Sequence, residues 1–226
     1  MSVTIAAVND TPTAFPKSYT TNYATAVTAS LTGADVETCD LTFQIVTGPA
    51  HGSLGGISNK ICVTLLPPYS DGASVKYTPA AGWSGVDTFT YRVRDGVLWS
   101  APATVTVTTT APVLLHVGDL DGKTTVNTST RYTINITVTV HNAAHGVVSS
   151  VTVTGNWSGG TTGGVSCKTT AAGTCVLAKG NILRTAGPVT LTIAGLALSP
   201  TGVYTPGANH DPEADSNGTI IVLPAP

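Results

Sequence analysis

The chain has 226 residues, a formal net charge of −2 and 10% charged residues, against roughly 25% in an average globular protein. Its 42% hydrophobic content gives it apolar surface to bury, which excludes intrinsic disorder. No cluster of Lys or Arg is available for nucleic acid or an anionic membrane, and no apolar run reaches the roughly 18 residues of a spanning helix.

Thr and Val dominate, 24 Gly and 14 Pro supply turns, and no window keeps a helical period, so the expected class is all-β. The opening MSVTIAAVND lacks the basic and long apolar regions of a signal peptide. Since the chain starts and stops inside β-like sequence, neighbouring domains of a longer chain are expected as its partners. In the first half the predicted strands are LTFQIV, ICVTLL, VKYTP, DTFTYRV and ATVTVTT. In DTFTYRV the alternation puts Phe89, Tyr91 and Val93 on a core face and Thr88, Thr90, Arg92 and Arg94 on a wet one. The following Asp95-Gly96 is a turn signal. At Thr110-Ala111-Pro112 the β pattern breaks, because Pro112 cannot donate to a ladder. That places a boundary there, with domains 1–111 and 112–226. The second half continues with RYTINITVTVH, SSVTVTG, TCVLA, PVTLTIAG and TIIVLP. Short alternating runs at this spacing predict two tandem antiparallel β-sandwiches.

Each half carries two cysteines. The Cys167–Cys175 spacing, with KTTAAGT between, predicts two thiols facing each other across a hairpin, and Cys39–Cys62 is the second expected bridge. Two disulfides imply an extracytoplasmic, secreted or cell-surface location. Four buried free thiols in a cytosolic protein are the alternative.

The five acids of the second half fall in two clusters, Asp119 with Asp121, then Asp211, Glu213 and Asp215. First and last strands of a sandwich are commonly neighbours, so the two loops are expected to converge. Carboxylates crowded in this way suit a hard cation, and Ca²⁺ with Asn217 as a further oxygen ligand is the expected cofactor. EADSNG places Glu213, Asp215, Asn217 and Gly218 in the register of a calcium-loop opening, but Pro224 at its twelfth position excludes an EF-hand. Without a metal, the same residues read as two polar turns.

Catalytic motifs are absent. His51, His116, His141, His145 and His210 include no HExxH pair, and VHNAAHG reads as a strand running into a turn, which keeps His141 and His145 off a common face. No catalytic residue and no enzyme activity are expected. Trp99 after Asp-Gly and Trp157 among glycines are the candidates for stacking on a sugar, against the alternative that both pack in the core or its rim.

VNDTP, LTFQIVTGPAHGSL (41–54) and YTPAAGWSGVDTFTYRVRDG (77–96) resemble bacterial cadherin-like and immunoglobulin-like (Ig-like) tandem modules over about residues 6–108. Such modules recur in long secreted and surface proteins, often adhesins. The resemblance implies calcium ligands near the domain junction, which fall here on Asp10, Asp35, Glu37 and Asp95, with Asn9 and Asp40 nearby. VTVHNAAHGVVSSVTVTGNWSGG (138–160) and SCKTTAAGTCVL (166–177) resemble a bacterial Ig-like module of the invasin and intimin type. Together these imply a non-catalytic stalk, spacer or adhesion segment, with a host-surface or polysaccharide ligand. A carbohydrate-binding accessory module of a secreted hydrolase is the alternative.

Overall fold

The computed structural model describes residues 8–60, 62 and 67–226. The expected strand ICVTLL lies outside the described residues except for Cys62. The chain divides between Ala111 and Pro112 into two compact units, each with its own apolar core.

The first unit contains β1 (Thr13–Ala14), β2 (Lys17–Thr21), β3 (Val27–Asp35), β4 (Thr42–Thr47), β5 (Gly52–Leu54), β6 (Ser58–Asn59), β7 (Tyr69–Pro79), β8 (Gly85–Arg94) and β9 (Ala103–Thr109). One sheet runs β1-β3-β7-β5, with β6 also on β7; the other runs β2-β9-β8-β4. The opening segment therefore changes sheets at Phe15-Pro16: β1 pairs antiparallel with β3, and β2 pairs parallel with β9 over five residues. Tyr91 holds this crossing. Its hydroxyl lies 2.6 and 2.8 Å from the carbonyls of Phe15 and Thr32 and accepts both of their N–H groups at 3.2 Å. Phe89, Tyr91 and Val93 are buried, as the alternation of β8 predicts.

The second unit contains β10 (Val113–Val126), β11 (Arg131–Asn142), β12 (Thr152–Gly159), β13 (Gly163–Lys168), β14 (Thr174–Leu183), β15 (Val189–Ala197), β16 (Gly202–Tyr204), a single 3-10 turn (Pro206–Ala208) and β17 (Ile220–Leu223). Its sheets are β14-β11-β10-β16 and β13-β12-β15-β17. Inward residues of both, among them Leu120, Ile134, Ile136, Leu177 and Leu191, interdigitate in one core. The register of β10 on β11 shifts between Val117 and Asp119, a β-bulge at Gly118.

Both disulfides form, Cys39–Cys62 with Cα atoms 5.4 Å apart and Cys167–Cys175 with 5.9 Å. The second differs from the hairpin expected. β13 and β14 lie in opposite sheets, so the chain crosses over at Thr170–Gly173 and the bridge staples one sheet to the other. Closing a loop this short stabilises by roughly 2–3 kcal/mol in the chain-entropy account.

Candidate metal centre

The motif residues of the first unit build a locked turn. The Asp87 carboxylate, 4% exposed, accepts the N–H groups of Ala50 (3.0 Å), His51 (2.9 Å) and Thr88 (2.9 Å) and the hydroxyl of Tyr77 (3.0 Å). Burial works to raise its pKa, but these donors outweigh it and hold the carboxyl below its ordinary value. Burial first, and then Asp87, push the Tyr77 hydroxyl up to about 12, so it remains a donor. Gly52 is required beside it, because a Cβ there would lie 2.5 Å from the Tyr77 ring. Trp83 lies flat on His51, with ring centroids 3.6 Å apart and planes 9° from parallel.

The first-domain acids named as calcium ligands take part in local turns, and Oδ1 of Asp35 is buried without a hydrogen-bond partner among the described residues. Asp35, almost fully buried, accepts the N–H groups of Glu37 (3.0 Å) and Thr38 (2.9 Å). Asp95 caps its own turn through the N–H groups of Val97 and Leu98, both at 2.6 Å, and accepts the Asn9 side chain at 2.7 Å. Glu37 accepts the N–H of Asp10 at 3.2 Å. Among the described residues of this unit, no three carboxylates converge.

The two candidate tryptophans differ in exposure. Trp157 is 3% exposed, because it falls on the inward set of β12 with Val153. Trp99 is half-buried, with the Arg92 guanidinium 4.1 Å and that of Arg94 5.6 Å from its ring centroid in a cation–π arrangement.

In the second unit the two acid clusters do converge, although Asp119 and Asp121 stand in strand β10 rather than in the expected loop. Asp119, Asp211 and Glu213 each offer an oxygen within 4.8 Å of the others. Burial, then the negative charges of Asp121, Glu213 and Asp211, push Asp119 up to about 6, and its Oδ1 is buried with no hydrogen-bond partner among the described residues. Asp211 organises the loop, accepting the N–H groups of Glu213, Ala214 (both 3.1 Å) and Ser216 (2.8 Å). Burial opposes but does not offset the Ser216 donors, and Asp211 stays below the usual carboxylate range. Asp215 is raised by burial and by Asp211 beside it. Asp121 and Asp215 stand outside the group of three, and the Asn217 side chain accepts the N–H groups of Thr219 (2.9 Å) and Ile220 (2.6 Å) as a turn cap.

The same end of the sandwich brings together four histidines, of which the sequence analysis considered only His141 and His145 as a pair and kept them apart. His116 and His141 are direct cross-strand partners on β10 and β11. His116 points away from the core filled by Leu115 and Val117, yet is 2% exposed because residues 205–218 fold over it. That segment is pinned by Thr205 N–H to the Leu115 carbonyl (2.8 Å), Val117 N–H to Asn209 Oδ1 (2.8 Å) and His210 N–H to the Val117 carbonyl (3.1 Å). The bulge makes room: a Cβ on Gly118 would lie 2.2 Å from Nδ1 of His141.

His145 arrives by a tight turn. The Asn142 side chain accepts the N–H groups of Ala144 (3.0 Å) and Gly146 (2.9 Å), and His145 takes a left-handed φ of 58°. This reversal, with His141 bridged to Val147, carries His145 back beside His141. Four-residue spacing thus unites the pair through the turn itself, which corrects the expectation that a strand running into a turn keeps His141 and His145 apart. The signal was present: His116 and His210 each stand beside an acid cluster whose loops were expected to meet.

One nitrogen from each of the four rings lies within 4.8 Å of the others. Burial lowers the His116 and His141 pKa values, and the neighbouring imidazoles lower them further, favouring neutral rings. Nε2 of His116 and Nδ1 of His141 are buried without hydrogen-bond partners among the described residues. Nδ1 of His210 lies 3.4 Å from the Ala208 carbonyl; a proton there leaves Nε2 with its lone pair.

Two stacked antiparallel-rich sheets with sheet-switching edges define each unit as an Ig-like β-sandwich. Residues 9–108, within the first unit and under half of the chain, match the family model described as bacterial Ig domain. No curated protein matches the chain. Among solved structures, it is similar to an endo-fucoidan hydrolase of glycoside hydrolase family 107, MfFcnA4, at 17% identity and a TM-score of 0.34, covering 86% of this chain and 29% of that one. It is also similar to the adhesin InvE of Yersinia pseudotuberculosis at 17% identity and a TM-score of 0.24, covering 82% of this chain and 56% of the adhesin. The chain thus spans under a third of the hydrolase and little over half of the adhesin. Likenesses of this size carry no function across.

Proposed function

We propose that the chain is a non-catalytic stalk, spacer or adhesion segment of a secreted or cell-surface bacterial protein, joined to further domains. The observation that carries this reading is the bacterial Ig domain match over residues 9–108. The motif residues of that domain support it, since Asp87, Tyr77, Gly52 and Trp83 are all taken up in holding turns. Two disulfides fit an oxidising location outside the cytoplasm. A stalk or spacer should pass unretained over insoluble polysaccharides and release no sugar from them. Retention that soluble oligosaccharide reverses would overturn the stalk reading in favour of a carbohydrate-binding accessory module.

Calcium on the Asp119–Asp211–Glu213 group is part of the proposal, supported by the unpartnered Oδ1 of Asp119. A bound ion would neutralise the carboxylates and stiffen the two loops. Adding 100 Kd of Ca²⁺ to chelator-stripped protein should raise one calorimetric transition by roughly 10 °C. Asp119→Asn should abolish that rise. A scan indifferent to Ca²⁺ would remove calcium from the account.

A further inference from the structure

We propose that His116, His141, His145 and His210 form a tetrahedral site for a borderline divalent transition ion, Zn²⁺, separate in ligand chemistry from the acid group beside it. The six distances between their ring centroids span only 5.1 to 6.1 Å. Four points so nearly equidistant are the corners of a tetrahedron, whose centre lies about 3.4 Å from each ring centroid. A zinc–imidazole bond of about 2.0–2.1 Å puts the ring centroid about 3.2 Å from the metal, so little contraction is needed. No two rings lie parallel: the interplanar angles run from 41° to 83°, as for rings converging on a point rather than stacking.

The chemistry of the set selects the ion. Imidazole is a poor ligand for hard Ca²⁺ and Mg²⁺ and a good one for zinc, copper and nickel. A tetrahedral arrangement favours zinc over the square-planar preference of Cu²⁺ and Ni²⁺. The second, independent observation is His116. A 2% exposed histidine whose Nε2 has no partner among the described residues is costly to bury unless something accepts its lone pair.

Four protein ligands close the coordination sphere, which is the signature of a structural site. The ion would tie together β10, β11, the turn at residues 142–146 and the loop at residues 205–218. Those loops have few apolar contacts of their own, so the metal would fix them to the sheet edge.

The test is calorimetric titration of the full, oxidised, chelator-stripped chain with ZnCl₂. One ion per chain is expected, with Kd below about 1 μM. His145→Ala and His210→Ala, on exposed and half-buried positions, should each weaken binding by about 100-fold or more with the circular dichroism spectrum retained. Asp119→Asn should weaken zinc binding far less than either histidine variant, because it removes a nearby charge and not a ligand. Co²⁺ in place of zinc should give the intense visible absorption of a tetrahedral ion. In the unmutated protein, zinc should shield His145 and His210 from diethylpyrocarbonate while the exposed His51 still reacts, a readout that needs no variant to fold. No binding at 100 μM zinc, undiminished binding in the His145→Ala/His210→Ala double variant, a pale octahedral Co²⁺ spectrum or loss of binding in Asp119→Asn would each overturn the proposal. Polysaccharide retention tests the stalk reading separately, so either can fail alone.

Discussion

Asp87→Ala is expected to destabilise the first sandwich by about 3–5 kcal/mol, enough to lower its melting transition by roughly 15 °C or more. The side chain is buried and its two oxygens serve Ala50, His51, Tyr77 and Thr88. Truncation leaves the Tyr77 hydroxyl and two turn N–H groups facing a void, and each stranded donor costs about 1–3 kcal/mol. Asp87→Asn keeps one acceptor oxygen but turns an NH₂ toward the same donors, so it should fall between wild type and Ala. The depressed folded pKa sets the pH dependence. The carboxylate's contribution is full above the unfolded value of about 3.9 and disappears as pH falls through the lower folded value. Stability measured from pH 6 down to 2 should drop more steeply in wild type than in Asp87→Asn. A loss under about 1 kcal/mol in Asp87→Ala would mean the turn is held by something other than this carboxylate.

Trp157→Ala should cost the second sandwich about 3–5 kcal/mol, as expected for emptying an indole-sized volume from a close-packed core. Trp157→Phe should cost far less, under about 1.5 kcal/mol, for a specific reason. The indole Nε1–H is buried without an acceptor among the described residues, so phenylalanine gives up some packing but also removes a desolvated donor. Calorimetry of both variants in the full chain should move one transition and leave that of the first sandwich in place. Equal losses for Ala and Phe would show that the ring nitrogen has a partner, such as an ordered water.

Much of the architecture is legible in the residue order because burial on one side imposes a period of two. β8, β9 and β11 fall where Phe89-Tyr91-Val93, Val105-Val107 and Ile134-Ile136-Val138 alternate with polar residues. The break at Pro112 and both cysteine pairs are equally local signals. What escapes is the choice of partner. The turn after Cys167 looks alike whether the chain stays in one sheet or crosses to the other, and only packing sends β13 and β14 to opposite sides. Trp157 sits among glycines that suggest an open surface, but its register with Val153 turns it inward. The convergence of the acid loops is legible from the ends-together habit of sandwiches. The meeting of the four histidines was not, because it depends on a bulge at Gly118 and a left-handed turn at His145.

The lengthwise pairing of β2 with β9 has a consequence for a molecule under tension. Lys17 to Thr21 run beside Val105 to Thr109 in the same direction, near opposite ends of the first unit's chain. A pull applied through those ends would drag the two strands past each other along their own axis. Every cross-strand bond in that five-residue patch would then be stretched at once, whereas a hairpin tugged from its open end yields one bond at a time. Such a clamp resists force far beyond what its small share of the equilibrium stability suggests.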